Sequence, residues 1–361
     1  MKKKAVGLYD PYLDTLGGGE KYFLSIAKAL EENYEIDIFW NKNLQNEFKI
    51  KFNLSFNYLI NFLPNIFLNN EGIVKKILLL RKYDYFFYVT DGSYFFSSAK
   101  KNFIYAMVPN PSLYKLSLSN KFKLLNYEFI THSEFTKKYL KRFGINSLLL
   151  YPYLDQVFID FEPEAFRKEK IILSVGRFFS HLHSKRQNKL IEAFQKLKRS
   201  GNKYKYFKLI LAGGLKEEDK GYYKNLQKMA KNDSSIIFKP NISFSELLGL
   251  YKKSLFYWHF TGFGIDESKY PEVVEHLGIA PLEAMAMGCI TFCVNSGGPK
   301  ELIQTDRTGF LFKTEAELFK QVEIISKNYN LQKEIRRNAK NYISEHFTFA
   351  QFKKNIKEII I

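Results

Sequence analysis

The sequence predicts an α/β protein of two domains, each built on a doubly wound parallel sheet. Short apolar runs alternate with helical patterns along the whole chain, and this alternation is typical of parallel sheets covered by helices. The length of 361 residues is enough for two cores of ordinary size. A polar stretch with weak periodicity, residues 155–170, separates two repeats of the same scheme.

In the first half, six apolar runs predict strands and three amphipathic patterns predict helices. The strands are expected at Ala5–Tyr9, Glu35–Trp40, Tyr83–Thr90, Phe103–Val108, Tyr127–Thr131 and Leu148–Tyr151. The helices are expected at Gly19–Leu30, Ile73–Arg81 and Glu134–Phe143. We therefore place an N-terminal Rossmann-like domain at residues 1–160.

The second half repeats the pattern, which places a second Rossmann-like domain at residues 161–346. Its strands are predicted at Ile171–Val175, Phe207–Ala212, Ser235–Lys239, Leu255–Phe260, Ile290–Val294 and Gly309–Lys313. Its helices are predicted at Asn188–Lys198, Tyr222–Lys231, Ser245–Tyr251 and Glu315–Ser326. Residues 347–361 form a further helical pattern, which opens with an aromatic residue and a capping threonine.

The formal net charge of +18 is spread over both halves of the chain. It has two main interpretations, a plain lysine excess that aids solubility, or attraction to anionic lipid or phosphorylated substrate. Nucleic-acid binding is disfavoured because no recognised motif accompanies the charge. The helix at residues 73–82 fits a membrane-facing surface and an ordinary half-buried helix equally well.

The expected location is the cytoplasm, peripherally at the inner face of a membrane. No apolar run approaches the roughly 20 residues that span a bilayer, and the basic N-terminus lacks the features of a secretory signal. The two cysteines, Cys289 and Cys293, lie in an apolar run without metal-ligand spacing. We expect buried thiols in a reducing compartment.

The stretch from residue 256 to residue 301 carries the densest chemistry. After an apolar strand and a polar loop comes Glu275, and eight residues later Glu283, at the start of a helix that Gly288 ends. Pro281 suits the first helical turn, so Glu283 is expected inside that turn. Free amides at such a helix start attract an anion or a sugar oxygen.

This stretch resembles the Glu-x7-Glu signature of the retaining GT-B glycosyltransferases of family 4, also called glycosyl transferases group 1. The flanking glycines, the Glu-Ala-Met-Ala helix after Glu283 and the Ser-Gly-Gly-Pro segment at 296–299 strengthen the match. The resemblance implies a GT-B fold, with an acceptor-binding domain and a nucleotide-sugar-binding domain facing each other across a cleft. It also implies that the C-terminal helix, residues 347–361, returns to the N-terminal domain.

Further residues match the family's donor site. By resemblance, Arg177 after the first strand of domain two, and Lys185 before its first helix, reach the donor diphosphate. The glycine loop after the first strand, with Gly18 and Gly19, lies over the same diphosphate. A departing diphosphate needs fixed positive charge, and no Asp-x-Asp pair indicates a metal. We expect no metal and no cofactor apart from the nucleotide-sugar substrate.

The resemblance also assigns roles to the glutamates. Glu283 binds the ribose hydroxyls, Glu275 lies beside the transferred sugar, and the amides of Gly278 and Ile279 hold sugar or phosphate oxygens. The family retains the sugar's configuration by front-face attack, so the two carboxylates do not act as in a glycosidase.

One position departs from the family. Met107 stands where members often carry a histidine that faces the donor sugar, and His132, at another strand end, is a candidate acceptor contact. The predicted function is transfer of a hexose from a GDP- or UDP-linked donor to a glycan or lipid-linked acceptor of the cell surface. One alternative is a non-catalytic partner subunit, which Met107 in place of the histidine favours. The other is another GT-B enzyme, such as a nucleotide-sugar epimerase or a phosphorylase.

Overall fold

The computed structural model describes residues 4–67, 72–181 and 184–361. These residues form two compact units, the first within residues 1–153 and 349–361 and the second within residues 154–348. Each unit is a parallel sheet with helices on its faces, so the predicted α/β class of two Rossmann-like domains is confirmed.

In the described part of unit 1, seven parallel strands form one sheet. In chain order they are β1 (Lys4–Tyr9), β2 (Tyr34–Phe39), β3 (Ile60–Leu63), β4 (Tyr85–Val89), β5 (Lys101–Tyr105), β6 (Tyr127–Thr131) and β7 (Ser147–Leu149). Their order across the sheet is β3-β2-β1-β4-β5-β6-β7. The direction of winding reverses between β1 and β4, where Val6 pairs with Tyr85. Ligands of such sheets bind at the carboxyl ends of the strands beside this reversal.

Two apolar layers cover this sheet. The helices before the last strand are α1 (Gly18–Leu30), α2 (Gln45–Phe52), α3 (Ile73–Leu80), α4 (Leu118–Lys123) and α5 (Glu134–Arg142). One layer includes Phe23 of α1 and Phe48 of α2. The other includes Leu80 of α3 and Leu140 of α5, with Leu124 at the end of α4 packed against it. The central strand β4, Tyr-Phe-Phe-Tyr-Val, is buried throughout because both faces are covered.

Unit 2 contains, among its described residues, six parallel strands. They are β8 (Glu169–Val175), β9 (Lys208–Gly213), β10 (Ile236–Pro240), β11 (Ser254–His259), β12 (Ile290–Val294) and β13 (Phe310–Phe312). Their order is β10-β9-β8-β11-β12-β13. Its helices are α6 (Gln156–Ile159), α7 (Gln187–Arg199), α8 (Lys220–Ala230), α9 (Phe244–Lys253), α10 (Ile279–Ala286), α11 (Pro299–Leu302), α12 (Glu315–Lys327) and α13 (Tyr329–His346).

The last helix, α14 (Phe349–Ile360), packs on unit 1 as the fold class predicted. Its residues Phe352, Ile356 and Ile360 recur every four positions, share one face, and join the same apolar cluster as α1. Lys353 Nζ lies 2.7 Å from Glu32 Oε2 at the edge of this contact. An amphipathic stripe of this kind needs an apolar surface to cover it, and α1 provides that surface.

The linker predicted at residues 155–170 is partly structured. Helix α6 lies in unit 2, because Lys340 Nζ of α13 donates to the carbonyl oxygens of Phe158 at 2.9 Å and Ile159 at 2.6 Å. The division between the units therefore falls at residue 153 instead of residue 160. None of the helices within residues 4–67, 72–181 and 184–361 is long and apolar enough to cross a membrane.

Candidate functional site

The start of α10 is shaped by Gly278, which caps the helix with a φ of +113°. Glycine is favoured there because a side chain strains this backbone conformation and would also lie 3.2 Å from Pro281 Cγ. The first turn leaves amide groups without helical acceptors, at the positively polarised end of the helix. The helix begins at Ile279, so Glu283 lies at the start of its second turn; the prediction of the first turn was wrong by one residue.

Glu275 is the centre of a polar cluster in unit 2, which we call the Glu275 cluster (Lys185, His259 and Glu275). Lys185 Nζ lies 2.6 Å from Glu275 Oε2, and His259 Nε2 lies 2.8 Å from the same oxygen. Burial lowers the pKa of His259 despite the opposing effect of Glu275. The imidazole is therefore neutral near pH 7 and donates its Nε2 proton. The Glu275 carboxylate is thus held between a cation and a neutral donor.

The loop that carries Glu275 is fixed by the segment after β12. Gly298 N donates to the Glu275 carbonyl oxygen at 2.8 Å. Gly297 has a φ of +68°, and a Cβ at either glycine would overlap the 275–277 backbone. This close approach explains the paired glycines of the Ser-Gly-Gly-Pro segment.

A further carboxylate, Glu267, holds the glycine segment from the other side. Its Oε2 accepts from Gly297 N at 2.7 Å and from Ser296 Oγ at 3.0 Å, and its Oε1 pairs with Lys300. Partial burial disfavours the charged form, but these donors outweigh it and lower the pKa of Glu267. Glu267 thus positions the backbone that positions Glu275.

Glu283 projects from α10 toward a buried tyrosine. Tyr251 OH, at the end of α9, donates to Glu283 Oε2 at 2.9 Å. Burial, followed by the nearby charge of Glu283, raises the pKa of Tyr251 well above its usual value. The phenol therefore stays protonated and holds the carboxylate in one orientation.

Lys185 reaches Glu275 across the end of β8. A Cβ at Gly176 would overlap the Lys185 side chain, so glycine leaves the path open. Arg177, the next residue, is exposed, and its guanidinium carbon lies 4.4 Å from the centre of the Phe179 ring. Gln187 Nε2 donates to the Arg177 carbonyl oxygen at 2.9 Å and fixes this turn. Both predicted diphosphate contacts thus flank Gly176.

The glycine loop lies in unit 1, at the start of α1. Gly17 N donates to Glu20 Oε2 at 2.6 Å, which closes the first turn. A Cβ at Gly18 would meet no atom within 4 Å, whereas a Cβ at Gly19 would lie 2.6 Å from Met107 Sδ. Met107 therefore covers Gly19 closely, and the two positions differ in their need for glycine.

Asp10 directly follows β1, the strand before the glycine loop, and His132 directly follows β6 of the same sheet. The ring of His132 lies 6.4 Å from the Tyr105 ring, centre to centre. Asp10 is 1% exposed; its Oδ1 accepts from Tyr12 N at 2.8 Å, and its Oδ2 has no hydrogen-bond partner among the described residues. Burial raises the pKa of Asp10 to about 7, against the Tyr12 amide and with smaller contributions from Glu20 and Asp14. Asp10 thus titrates near neutral pH.

Comparison with known proteins decides the family. The description "Glycosyl transferases group 1" matches residues 155–342, more than half of the chain. The chain belongs to this family. The match covers the whole Glu275 cluster, Arg177 and Glu283.

Curated relatives of this glycosyl transferases group 1 protein are mannosyltransferases. A mouse GDP-Man:Man(3)GlcNAc(2)-PP-Dol alpha-1,2-mannosyltransferase is 30% identical over 212 residues, which cover 54% of this chain and 40% of the relative. The human alpha-1,3/1,6-mannosyltransferase ALG2 is 28% identical over 213 residues, covering 55% of this chain and 48% of the relative. The chain thus spans less than half the length of these relatives.

Solved structures share the fold of the whole chain. A glycosyltransferase from Rickettsia africae ESF-5 aligns with a TM-score of 0.74 at 17% identity, covering 100% of this chain and 98% of that chain. Anabaena Alr3699/HepE, solved in complex with UDP and glucose, aligns with a TM-score of 0.71 at 15% identity and covers 99% of each chain. At these identities the likeness establishes the GT-B fold.

Within this group 1 protein, sequence reasoning identified some polar groups and missed others. It named Lys185 and Glu275, which the structure brings together, but it did not include His259 among the site residues. It did not single out Glu267, Tyr251 or Asp10. For Asp10 a signal existed, since an aspartate directly after an apolar strand and shortly before a glycine loop is placed at a strand's carboxyl end.

The arrangement in unit 2 suits an anion with attached hydroxyl groups. Lys185 and Arg177 supply positive charge beside Gly176, the start of α10 supplies amides, and Glu275 and Glu283 supply acceptors. No group of three or more His, Cys, Asp or Glu side chains that could hold a metal ion occurs in the part of the chain that the structure describes. Cys289 and Cys293 are buried free thiols.

Proposed function

We propose that the protein is a retaining glycosyltransferase that moves a hexose from a nucleotide-diphosphate sugar to a glycan or lipid-linked acceptor. The Glu275 cluster beside the start of α10 carries this proposal, because it combines a carboxylate held by His259 with a lysine paired to the same oxygen. The names of the curated relatives favour GDP-mannose as the donor, and UDP-glucose is the first alternative.

In the proposed reaction, Arg177 and Lys185 bind the diphosphate and the amides of Gly278 and Ile279 bind its oxygens. When the donor enters, Lys185 turns from Glu275 toward the phosphates. Glu275 then faces the sugar, and its charge stabilises the positive charge that develops at the anomeric carbon. His259 stays on the carboxylate and keeps it oriented.

Glu283 accepts hydrogen bonds from the ribose hydroxyls, and Tyr251 presents it for that purpose. We propose that Gly18 and Gly19 also contact the donor diphosphate and that His132 contacts the acceptor. We propose that the leaving diphosphate is stabilised by these fixed cations and amides without a metal or cofactor. The sugar keeps its configuration by front-face attack, without a covalent glycosyl-enzyme.

A lipid-linked acceptor requires the protein to approach a membrane, and unit 1 has a surface suited to it. On α3, Ile73, Val74 and Leu78 are 63 to 69% exposed although apolar. At α4, on the same face of the sheet, Leu118, Phe122 and Leu125 are 64 to 80% exposed. Lysines accompany them on both helices. Apolar side chains flanked by lysines are typical of surfaces that bind anionic lipid.

The function is tested with purified protein, a panel of GDP- and UDP-sugars, and cell-envelope lipid acceptors, all in the presence of EDTA. We expect transfer from one donor, with the anomeric configuration of the product, read by NMR, matching that of the donor. The Glu283→Ala variant should bind that donor more weakly. If no donor binds or is consumed, and Glu283→Ala changes nothing, the proposal is wrong.

The membrane surface is tested by flotation with vesicles of rising anionic lipid content. We expect binding that increases with anionic lipid and weakens in high salt. The double variant Leu78→Glu/Phe122→Glu should bind less, while the control Ile324→Glu, an exposed apolar residue of unit 2, should bind as the wild type does. Equal flotation of all three proteins would remove this surface from the proposal.

A second candidate function is a partner subunit that binds nucleotide without turnover. Met107 favours it, since a thioether covers Gly19 at the position where the family often carries histidine. This candidate predicts donor binding by the isolated protein and transfer only after a second protein is added.

A further inference from the structure

A cavity lies in unit 2, at the edge of the sheet opposite to the Glu275 cluster. It has a volume of about 740 Å³, within the range of small-molecule sites. Its wall includes Lys170 near the start of β8, Phe207 just before β9, and Leu255 at the start of β11. The Glu275 cluster lies at the carboxyl ends of the same strands. A strand of seven residues spans roughly 20 Å, so the two places are distinct.

The wall of this cavity is strongly basic. Of its lining residues, all of which the structure describes, seven are lysine or arginine and one, Glu164, is acidic. Lys203 and Lys327 pair with Glu323 at 2.6 and 2.9 Å. The other five form no ion pair with a carboxylate among the described residues, although the charge of Glu164 acts on Arg336.

Two of these five cations are withdrawn from solvent. Lys168 Nζ donates to the carbonyl oxygens of Met287 at 2.7 Å and Tyr251 at 3.0 Å. Burial lowers the pKa of Lys168 to about 8; Cys289 opposes this shift and Arg336 adds to it. The negative ends of α9 and α10 compensate Lys168 in part. These helix ends do not explain why a second cation lies close to Lys168.

Arg336 is that second cation, and it is 7% exposed. It donates to the Pro163 carbonyl oxygen through Nη2, and its Nε has no hydrogen-bond partner among the described residues. Burial lowers the pKa of Arg336 as well. A half-buried lysine beside a buried arginine is unfavourable unless an opposite charge accompanies them, and the exposed Glu164 supplies only part of that charge. An anion in the cavity provides the rest.

The cavity also offers flat apolar surface. Phe166 and Tyr329 line it with exposed rings, and Tyr204 and Phe207 line it more deeply. Lys333 Nζ lies 4.9 Å from the centre of the Tyr329 ring, at the same wall. A wall of cations and aromatic rings together suits a phosphate ester with a planar or apolar group.

We propose that this cavity is a binding site for an organic phosphate, separate from the donor site. Tyr251 joins the two places, because its carbonyl oxygen accepts from Lys168 while its hydroxyl group donates to Glu283. Two kinds of ligand carry a phosphate ester of this type, a soluble nucleotide and a lipid phosphate, and the aromatic wall fits both.

The test measures binding of adenosine monophosphate, dioctanoyl phosphatidic acid below its micelle concentration, and inorganic phosphate by calorimetry. The first two probes separate the nucleotide source from the lipid source. The cavity variant is Lys170→Glu/Lys333→Glu, which leaves the buried Lys168 and Arg336 in place. The control Lys224→Glu/Lys228→Glu changes the charge equally on exposed positions of α8. The variant Arg177→Ala/Lys185→Ala removes the donor-site cations.

We expect saturable binding of at least one organic phosphate, weakened tenfold or more in the cavity variant. Binding should be nearly unchanged in the α8 control and in the donor-site variant. Circular dichroism and thermal melting confirm that each variant is folded. The proposal is overturned if no probe binds at millimolar concentration, if the cavity variant binds as the wild type does, or if the donor-site variant alone loses binding. None of these outcomes depends on glycosyl transfer, so a failure here is distinct from a failure of the proposed function.

Discussion

Buried carboxylates at the carboxyl ends of the two sheets differ in their hydrogen-bond and ion-pair partners. In unit 2, the Glu275 cluster surrounds its carboxylate with Lys185 and His259, and Tyr251 holds Glu283. In unit 1, Asp10 is more deeply buried but accepts one backbone hydrogen bond through Oδ1, and its Oδ2 has no partner among the described residues.

The difference follows from what lies on the neighbouring strands. Unit 2 brings a lysine before α7 and a histidine at the end of β11 toward one loop, so charge is neutralised by charge and by hydrogen bonds. In unit 1, Met107 and the glycine loop lie at the carboxyl ends of the strands, and neither carries a positive charge that could offset the charge of Asp10. The same strand-and-helix architecture therefore gives a charged, oriented group in one place and a group near its titration point in the other.

The largest effect on activity is expected from removing the negative charge of Glu275. Glu275→Gln keeps the size of the side chain but removes the negative charge that we propose lies beside the reacting sugar. We expect kcat to fall by about 10²–10³-fold, the cost of losing one fixed electrostatic contact in a transition state. The control is Asp266→Asn, an exposed carboxylate on the same loop that bonds to Ser268. Near wild-type turnover in Glu275→Gln would place the chemistry elsewhere.

The second prediction concerns Asp10 and stability. Its folded pKa of about 7 lies above the value near 4 of an unfolded aspartate. Between these values the folded state binds more protons than the unfolded state, so stability falls as pH rises from about 4 to about 7. Asp10→Asn has no carboxyl group at this position, so its stability does not fall in this way. The unfolding free energy of Asp10→Asn relative to that of the wild type should therefore rise by roughly 2–3 kcal/mol between pH 5 and pH 8.

Urea unfolding at the two pH values measures this difference. Asp14→Asn, at an exposed position in the same segment, serves as the control. If the difference in unfolding free energy between Asp10→Asn and the wild type does not change with pH, folding does not raise the pKa of Asp10.

The third prediction tests the cations of unit 2. Arg177→Ala or Lys185→Ala removes the proposed charge-assisted contact to the donor diphosphate, a contact worth about 1.5–3 kcal/mol. Donor affinity should fall about tenfold or more in each variant, with folding retained. Lys189→Ala, on the exposed face of α7 beside Glu192, provides the matched control. Wild-type affinity in both single variants would remove these residues from the donor site.

The smallest effect distinguishes two adjacent glycines of unit 1. Gly19→Ala places a methyl group against Met107 Sδ, so we expect a loss of about 1 kcal/mol in unfolding free energy. Gly18→Ala has open space and should be neutral or slightly stabilising. In a Met107→Ala background the cost of Gly19→Ala should shrink, which a double-mutant cycle measures. Equal costs in both backgrounds would show that Met107 does not restrict Gly19.

Local sequence patterns predicted most elements but not all. The edge strand β3, Ile-Asn-Phe-Leu, has only four residues, too few to show a clear alternating pattern. The 18-residue helix α13 is dominated by polar residues, yet Ile335, Ala339 and Ile343 recur at helical spacing and are buried. That spacing was a usable signal. Helix α6 is four residues long, and a single turn has no period to detect.

By itself the sequence determined the two α/β domains, the family signature and the identity of Lys185, Glu275 and Glu283 as site candidates. Apolar periodicity and a glycine before a helix are local properties, so they can be seen along the chain. Only the tertiary structure decided which groups touch. Lys185 and Glu275 are 90 residues apart and meet at 2.6 Å, His259 joins them from a neighbouring strand, and Met107 reaches Gly19 from another. Those contacts depend on strand order and on side-chain direction at the ends of the sheets, and neither is encoded in any short segment.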